Sequence, residues 1–205
     1  MEIQPCMPRF VFLSVLTLAL AFSPAASWAV SADDVPQALR PPNGAQTALV
    51  VFEDLECPVC GQTAPLLQEA SRVYRIPLVQ YDFPLPQHNW SFDAAVIARY
   101  FDTYSKELGN QFRLAIFAQQ REIVSPIAMR AFAERFASEH KLSLPFAVEK
   151  TPKLVALVNG DKDIGTSLHV IHTPTIYIVS SKKNKKAFIE VTDTSQLYVM
   201  IDAMK

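Results

Sequence analysis

Two cysteines separated by two residues, Cys57 and Cys60, lie between a segment with the pattern of a strand and a segment with the pattern of a helix. Residues 47–55 are apolar almost throughout up to Phe52, which is typical of a buried strand. After Cys60, apolar residues recur with helical spacing as far as Tyr74. This order places the cysteine pair at the carboxyl end of a strand, where α/β proteins carry their sites.

A cysteine at the start of a helix is chemically distinct, because unpaired N–H groups and the helix dipole stabilise negative charge there. Cys57 occupies this position, and the thiolate is the form of cysteine that attacks disulfides. Pro58 suits the first helical turn, where an N–H group is not needed. Cys60 is about one turn away and can resolve a mixed disulfide. A disulfide closing so short a loop constrains the unfolded chain little, so the pair is predicted to be reactive.

Zinc sites also use this cysteine spacing, so a metal has to be considered. Structural zinc normally needs four ligands, and the third cysteine, Cys6, lies in a segment that we expect to be removed. The histidines are His88, His140, His169 and His172. A closed zinc site is therefore disfavoured and no metal is predicted. Delivery of Cu(I) through Cys57, Cys60 and His172 remains an alternative, since soft thiolates bind Cu(I).

The first residues have the pattern of an export signal. Arg9 precedes an apolar run over 10–22, and small residues around Ala29 resemble a cleavage site. The run falls short of the roughly 20 residues needed to span a bilayer. We therefore predict a signal peptide at 1–29 and a linker at 30–46, with the mature protein in the periplasm or another extracytoplasmic, oxidising compartment.

The rest of the chain alternates strands with a long helical block. In order, the predicted elements are a strand at 76–83, helices within 90–164, strands at 171–180 and 187–192, and a final helix capped by Asp193 or Thr194. The first two strands are expected to pair in parallel through a crossover helix. The formal net charge of -1 gives no basic footprint for nucleic acid, so no nucleic-acid partner is predicted.

Taken together, these motifs resemble the thioredoxin-fold disulfide oxidoreductases of the DsbA-like class. The resemblance rests on the C-P-V-C motif, on Pro65 in the next helix, on His88 before the helical block and on Thr173-Pro174 before a later strand. It covers the chain from about Thr47 onward. It implies an α/β thioredoxin fold over 47–205, with a large all-helical insertion between the second strand and the cis-proline strand.

The resemblance also implies roles for particular residues. Cys57 is then the nucleophile and Cys60 the resolving thiol, and no cofactor is needed besides their disulfide. Pro174 carries a cis peptide bond facing the disulfide, and the backbone of Thr173 pairs with an extended substrate. Pro58 and Val59 belong to the substrate-binding surface.

The implied activity is oxidation of unfolded secreted proteins, with reoxidation by a membrane redox partner. Reduction or isomerisation on the same fold is the alternative. Isomerases of this kind usually have a dimerisation domain, and the segment before Thr47 is too short for one. A monomer is therefore expected.

The acidic residues near the motif depart from the family pattern. A buried carboxylate often lies six positions before the first cysteine as a proton acceptor for the second, and here that position is Val51. Glu53, Asp54 or water are the candidates for the proton of Cys60. Glu53, Asp54 and Glu56 are predicted to mark the surface end of the strand and to oppose the thiolate. An oxidant of intermediate strength is therefore expected.

Two histidines are candidates for positions near the site. His88 is predicted to orient the loop before the helical insertion. His172, two residues before Pro174, is a candidate for lining the site, with an exposed loop position as the alternative.

Overall fold

The computed structural model describes residues 35–205 together with Met1. The predicted signal peptide at 1–29, with Cys6 inside it, and the start of the predicted linker lie outside the described residues. Residues 35–205 belong to one compact unit. In the part of the chain that the structure describes, none of the helices combines the length and apolar character needed to cross a membrane.

The described strands form a four-stranded sheet in the order β2-β1-β3-β4. Their bounds are Thr47–Glu53 for β1, Leu78–Asp82 for β2, Thr175–Ser180 for β3 and Phe188–Glu190 for β4. β1 pairs in parallel with β2 and antiparallel with β3. The predicted parallel pairing is therefore confirmed. Every residue of β1 is buried, because the strand is central and both faces of the sheet are covered.

Six α-helices complete the described fold. They are α1 at Pro58–Tyr74, α2 at Ser91–Asp102, α3 at Lys106–Gln119, α4 at Pro126–Glu139, α5 at Pro152–Ser167 and α6 at Leu197–Met204. The side chains of Ser105 and Ser125 cap α3 and α4 by accepting backbone N–H bonds, as serine does at helix starts. Helices α2 to α5 lie between β2 and β3, so the predicted all-helical insertion is confirmed.

The alternation of side chains along β1 divides the core. Leu49 and Val51 pack with residues of α1 and α6 on one face of the sheet. Val50 and Phe52 pack in a separate cluster on the other face. Gly165 allows α5 to approach this second face, since a Cβ there would lie 2.6 Å from the ring of Phe83. A third cluster lies mainly in the insertion and also includes both cysteines. In it the rings of Phe101, Phe112, Phe132 and Phe136 pack in tilted and edge-on arrangements.

Part of the predicted linker at 30–46 is packed against the domain. A single 3₁₀ turn at Gln37–Leu39 brings Val35 and Leu39 into the same cluster as Val50. Both side chains are buried, with 6 % and 3 % exposure. The prolines, Asn43 and Gly44 made this segment look irregular, which hid two apolar residues at helical spacing.

Candidate active site

The two cysteines lie where β1 ends and α1 begins. Cys57 is the residue before the first turn of α1, and the helix starts at Pro58, two residues earlier than the periodicity predicted. Both cysteines are free thiols and are buried, with 6 % exposure for Cys57 and 2 % for Cys60. The backbone N–H of Asp54 donates to Cys60 Sγ at 3.5 Å. The pair is thus held at the carboxyl edge of the sheet, with Cys57 the more accessible sulfur.

The environments of the two sulfurs differ sharply. A hydrogen bond from the Cys60 thiol lowers the pKa of Cys57 to about 5, and the backbone N–H groups of Cys60 and Val59 add to this effect against the opposing influence of burial. Burial raises the pKa of Cys60 far above its ordinary value, and the adjacent Cys57 thiolate raises it further. At neutral pH the reduced pair therefore holds a Cys57 thiolate and a Cys60 thiol.

The loop before β3 covers the nucleophile. The Thr173–Pro174 peptide bond is cis, and Cys57 Sγ lies 3.3 Å from the carbonyl oxygen of Thr173, to which it donates only in its thiol form. Val59 is 53 % exposed beside this pair. The residues that the resemblance placed in contact with substrate, including Pro58, are therefore gathered around one sulfur.

His172 is exposed and is turned toward its own loop. Its Nδ1 lies 3.3 Å from Oγ1 of Thr175, whose hydroxyl donates to the His172 carbonyl at 2.7 Å. Among residues 35–205, no group of three or more histidine, cysteine, aspartate or glutamate side chains is placed to hold a metal ion. The Cu(I) alternative thus gains no support from the site.

The prediction that the acidic end of β1 lies at the surface is wrong. Glu53 and Asp54 are buried, with 3 % and 1 % exposure. The Asp54 carboxylate is satisfied by the backbone N–H groups of Glu56 at 2.7 Å and Leu85 at 2.6 Å, and it contacts Nδ1 of His88 at 2.7 Å. Asp54 and His88 therefore fasten the loop before α2 to the loop that carries the cysteines.

The carboxylate of Glu56 is directed away from the thiolate. Its Oε2 accepts the backbone N–H groups of Trp90 at 2.8 Å and Ser91 at 3.1 Å, at the start of α2. The positive end of a helix favours such a carboxylate. The sequence-based expectation that Glu56 opposes the thiolate overlooked this partner, which is 34 residues away along the chain.

Gln120, which the sequence analysis missed, clamps the cysteine loop from the helical insertion. Its Nε2 donates to the carbonyl oxygens of Leu55 at 2.7 Å and Cys57 at 3.0 Å. Gly61 leaves room for this side chain, because a Cβ there would lie 2.6 Å from Gln120 Oε1. The glycine immediately after the second cysteine was the signal in the sequence for a close neighbour.

Glu53 lies close to the buried thiol. It points to the same face of β1 as Val51, which lies two residues earlier, and its Oε1 accepts from Nε2 of Gln80 at 2.9 Å. Burial raises the pKa of Glu53 to about 7, against the lowering effect of Arg113. The charge of Glu53 in turn contributes to the raised pKa of Cys60. A titratable carboxylate thus lies near Cys60, although the expected family position is apolar.

Behind Glu53 is a buried ion network. Arg113 lies 3.1 Å from Asp102 and 3.5 Å from Asp82. Arg99 pairs with Asp82 at 2.6 Å and also with Asp161. The network joins the end of β2 to α2, α3 and α5. It therefore holds the insertion against the carboxyl ends of the strands, where the cysteines lie.

Comparison with known proteins gives a family and a fold. The family model described as thioredoxin matches residues 42–202. No curated protein sequence matches significantly. The chain resembles the solved thiol-disulfide exchange protein α-DsbA2 of Wolbachia pipientis, with a TM-score of 0.62 and 18 % identity over 81 % of this chain and 86 % of that one.

Two further solved structures share this architecture. Pseudomonas aeruginosa DsbA2 has a TM-score of 0.58 and 18 % identity, over 78 % of this chain and 87 % of that chain. The oxidoreductase NmDsbA1 of Neisseria meningitidis has a TM-score of 0.55 and 14 % identity, over 82 % and 84 % respectively. Since the family model spans well over half of the sequence, this chain belongs to the thioredoxin family, and its fold is that of the DsbA-like class.

Proposed function

We propose that this protein is a thiol–disulfide oxidoreductase that works as an oxidase, donating the Cys57–Cys60 disulfide to substrate proteins. The observation that carries the proposal is the asymmetry of the reduced pair, with the pKa of Cys57 lowered to about 5 and that of Cys60 raised. A stabilised thiolate favours the reduced protein and so makes its disulfide a stronger oxidant. The names of the similar solved proteins, a thiol-disulfide exchange protein and an oxidoreductase, support the same chemistry.

The reaction balances within the two cysteines and the substrate. A substrate thiolate attacks Cys57 Sγ, the Cys57–Cys60 bond breaks, and Cys60 leaves as a thiolate that takes up a proton. The second substrate thiolate then attacks the substrate sulfur of the mixed disulfide and releases Cys57. The substrate loses two electrons and two protons. One proton goes to Cys60 and the other goes to solvent, because Cys57 remains a thiolate.

The environment of Cys57 supports a stronger oxidant than the sequence alone suggested. The dipeptide Pro58-Val59 brings no histidine to the sulfur, which led to the expectation of intermediate strength. The hydrogen bond from Cys60 lowers the pKa of Cys57, and the neighbouring carboxylate of Glu56 is turned toward α2. We therefore propose that its reduction potential is higher, and so more oxidising, than that of thioredoxin.

The reduction potential tests the direction of the reaction. In glutathione redox buffers, we expect a potential above that of thioredoxin, about −270 mV, and toward the range of about −180 to −120 mV that spans protein disulfide isomerase and DsbA. Ultraviolet absorbance of the reduced protein should show one thiolate forming near pH 5. A potential at or below the thioredoxin value, or a Cys57 pKa near the ordinary value of about 8.5, would contradict an oxidase and favour the reductase alternative.

We propose Glu53 as the group that exchanges the proton of Cys60. Replacing it by glutamine preserves an acceptor for Gln80 but removes the titration. Burial raises the pKa of Glu53 to about 7. The stabilisation by its protonated form is therefore fully present at pH values below the ordinary glutamate pKa, and it is lost as the pH rises through about 7. Glu53→Gln should therefore increase the free energy of unfolding at about pH 8 by roughly 1–3 kcal/mol and slow the step in which Cys60 loses or gains its proton.

Urea unfolding of the reduced protein at several pH values measures the first effect, and single-turnover exchange with a dithiol peptide measures the second. At about pH 4, where Glu53 is largely protonated in both folded and unfolded chains, the stabilities should converge. Parallel pH profiles of the two proteins, with equal exchange rates, would remove Glu53 from the proposed mechanism.

Export and reoxidation belong to the same proposal. The apolar run over 10–22 and the small residues around Ala29 support export to an oxidising compartment. A protein that transfers its disulfide stoichiometrically must then be reoxidised, and a membrane electron acceptor in that compartment is the class of partner that completes the cycle.

A further inference from the structure

The side-chain amide of Gln120 is committed to the backbone of the loop that carries the nucleophile. Gln120 follows the last residue of α3, and its Nε2 donates to two carbonyl oxygens, that of Leu55 at 2.7 Å and that of Cys57 at 3.0 Å. A primary amide has two N–H hydrogens, so each carbonyl can take one of them. The helical insertion thus holds the cysteine loop through a single side chain with two bonds.

One of these bonds lies at the point where the loop becomes a helix. The N–H of Cys57 donates to the carbonyl oxygen of Asp54 at 3.1 Å, and the carbonyl oxygen of Cys57 accepts the N–H of Gly61 at 3.2 Å, the first hydrogen bond of α1. The backbone angles of Cys57 set the direction of its side chain. They therefore decide how Sγ meets the Cys60 thiol and the N–H groups of the first helical turn, the donors that lower the pKa of Cys57.

Gly61 keeps the space for this amide open. A Cβ there would lie 2.6 Å from Oε1 of Gln120 and 3.1 Å from its Cδ. Glycine is less favourable than alanine inside a helix, and Gly61 does not have the positive φ that would require a glycine. The contact with Gln120 is therefore the physical reason for a glycine at this position.

The two redox states need this support to different degrees. In the disulfide form, a covalent bond keeps Cys57 and Cys60 together whatever the loop contacts are. In the reduced form, only hydrogen bonds and packing hold the Cys57 thiolate among its donors. A contact that fixes the backbone of Cys57 should therefore stabilise the reduced form more than the disulfide form.

We propose that Gln120 is a positioning residue that stabilises the reduced form of the site and so makes the Cys57–Cys60 disulfide a stronger oxidant. The inference rests on the proposed thiol–disulfide exchange. Gln120 acts through the backbone of Cys57 and does not touch the reacting sulfur. The helical insertion thereby contributes to the redox chemistry of the thioredoxin-like part of the chain.

Gln120→Met tests the inference, because methionine has a similar length but no N–H group to donate. In glutathione redox buffers, the equilibrium constant for oxidation of glutathione by the mature full-length protein should fall about three- to tenfold, or about 15–30 mV for this two-electron couple. The pKa of Cys57 should rise above about 5. The control is Gln119→Met, which changes the preceding exposed glutamine and should keep the wild-type values.

Urea unfolding of both redox forms separates positioning from general support of the fold. The reduced form of Gln120→Met should lose more stability than its disulfide form, by the same three- to tenfold factor in the equilibrium constant for unfolding, because the two measurements belong to one thermodynamic cycle. A contact that only supported the fold would destabilise both forms equally and leave the potential unchanged.

Gly61→Ala removes the same contact from the other side. The atoms that its methyl group would meet belong to the far end of a flexible side chain, so the amide of Gln120 should move away and the backbone should stay in place. The potential should fall as in Gln120→Met, although alanine favours the helix. In Gln120→Ala the space is empty, so adding Gly61→Ala should not lower the potential further, as is typical of residues in direct contact.

An unchanged potential in Gln120→Met, equal losses of stability in the two redox forms, or additive effects of Gly61→Ala and Gln120→Ala would overturn the inference and leave the proposed function intact. Failure of the wild-type protein to exchange its disulfide with glutathione would refute the proposed function and the inference together. A lower potential in Gln120→Met and in Gly61→Ala, with the wild-type potential kept in Gln119→Met, would establish the inference.

Discussion

Replacing Cys57 by serine is expected to abolish oxidation of dithiol peptides. Cys57 is the sulfur with the lowered pKa, whereas Cys60 is 2 % exposed and has a raised pKa. Because the thiolate is the nucleophile, the remaining Cys60 thiol is almost unreactive at neutral pH. Cys60 in the Cys57→Ser variant should be alkylated more than about a hundredfold more slowly than Cys57 in the Cys60→Ser variant. Mass spectrometry of both single variants after timed alkylation measures the ratio.

Cys60→Ser is the matched variant, because it keeps the nucleophile and removes only the resolving thiol. Mixed with a disulfide peptide, it should accumulate a stable mixed disulfide at Cys57. In Cys60→Ala the Cys57 pKa should rise above about 5, since alanine leaves no group that can donate the main hydrogen bond. Comparable alkylation of the two single variants, or residual dithiol oxidation by Cys57→Ser, would contradict the assigned roles.

The largest expected effect on stability comes from Arg113. Its side chain is 4 % exposed and lies between Asp102 and Asp82. Methionine retains most of the apolar stem but removes one of the two arginines that contact these carboxylates, so that Arg99 alone is left to balance both. Breaking a buried ion pair from one side costs about 3–5 kcal/mol, so Arg113→Met should lower the free energy of unfolding by that amount in a urea titration.

A surface pair provides the control. Arg72 contacts Glu69 at 2.6 Å, but both side chains are largely exposed. Arg72→Met should therefore change stability little, because exposed ion pairs contribute little. Arg113→Met should also raise the pKa of Glu53 above about 7, since Arg113 lowers it. Equal losses of stability in the two variants would show that the buried network is not what holds the insertion to the sheet.

Local patterns were enough to predict the elements of the fold. The apolar run before Phe52 predicted the central strand, and repeats of apolar residues at helical spacing predicted the insertion. The C-P-V-C motif at a strand end predicted the paired cysteines at the start of a helix. These features depend on residues close together in the chain, and strand and helix periodicity record such relations directly.

The ionisation states of the site depend on residues that the chain brings together from far apart. Glu53, Asp54 and Glu56 look like the hydrated end of a strand in the sequence. In the fold, Asp54 is hydrogen-bonded to Leu85 and His88, and Glu56 accepts a backbone N–H group at the start of α2. A buried carboxylate is stable only where such donors converge, and no local pattern predicts that convergence.

The sequence alone predicted the order of elements, the paired cysteines and the role of Thr173-Pro174, because each is a property of neighbouring residues. How far the pKa of each sulfur is shifted, where Glu53 points and how Gln120 holds the loop were decided by tertiary packing. The physical reason is that the desolvation of a charge, and the donors available to it, are set by every element packed around it. Within the described residues, those elements come from α1, from the helical insertion and from the loop before β3.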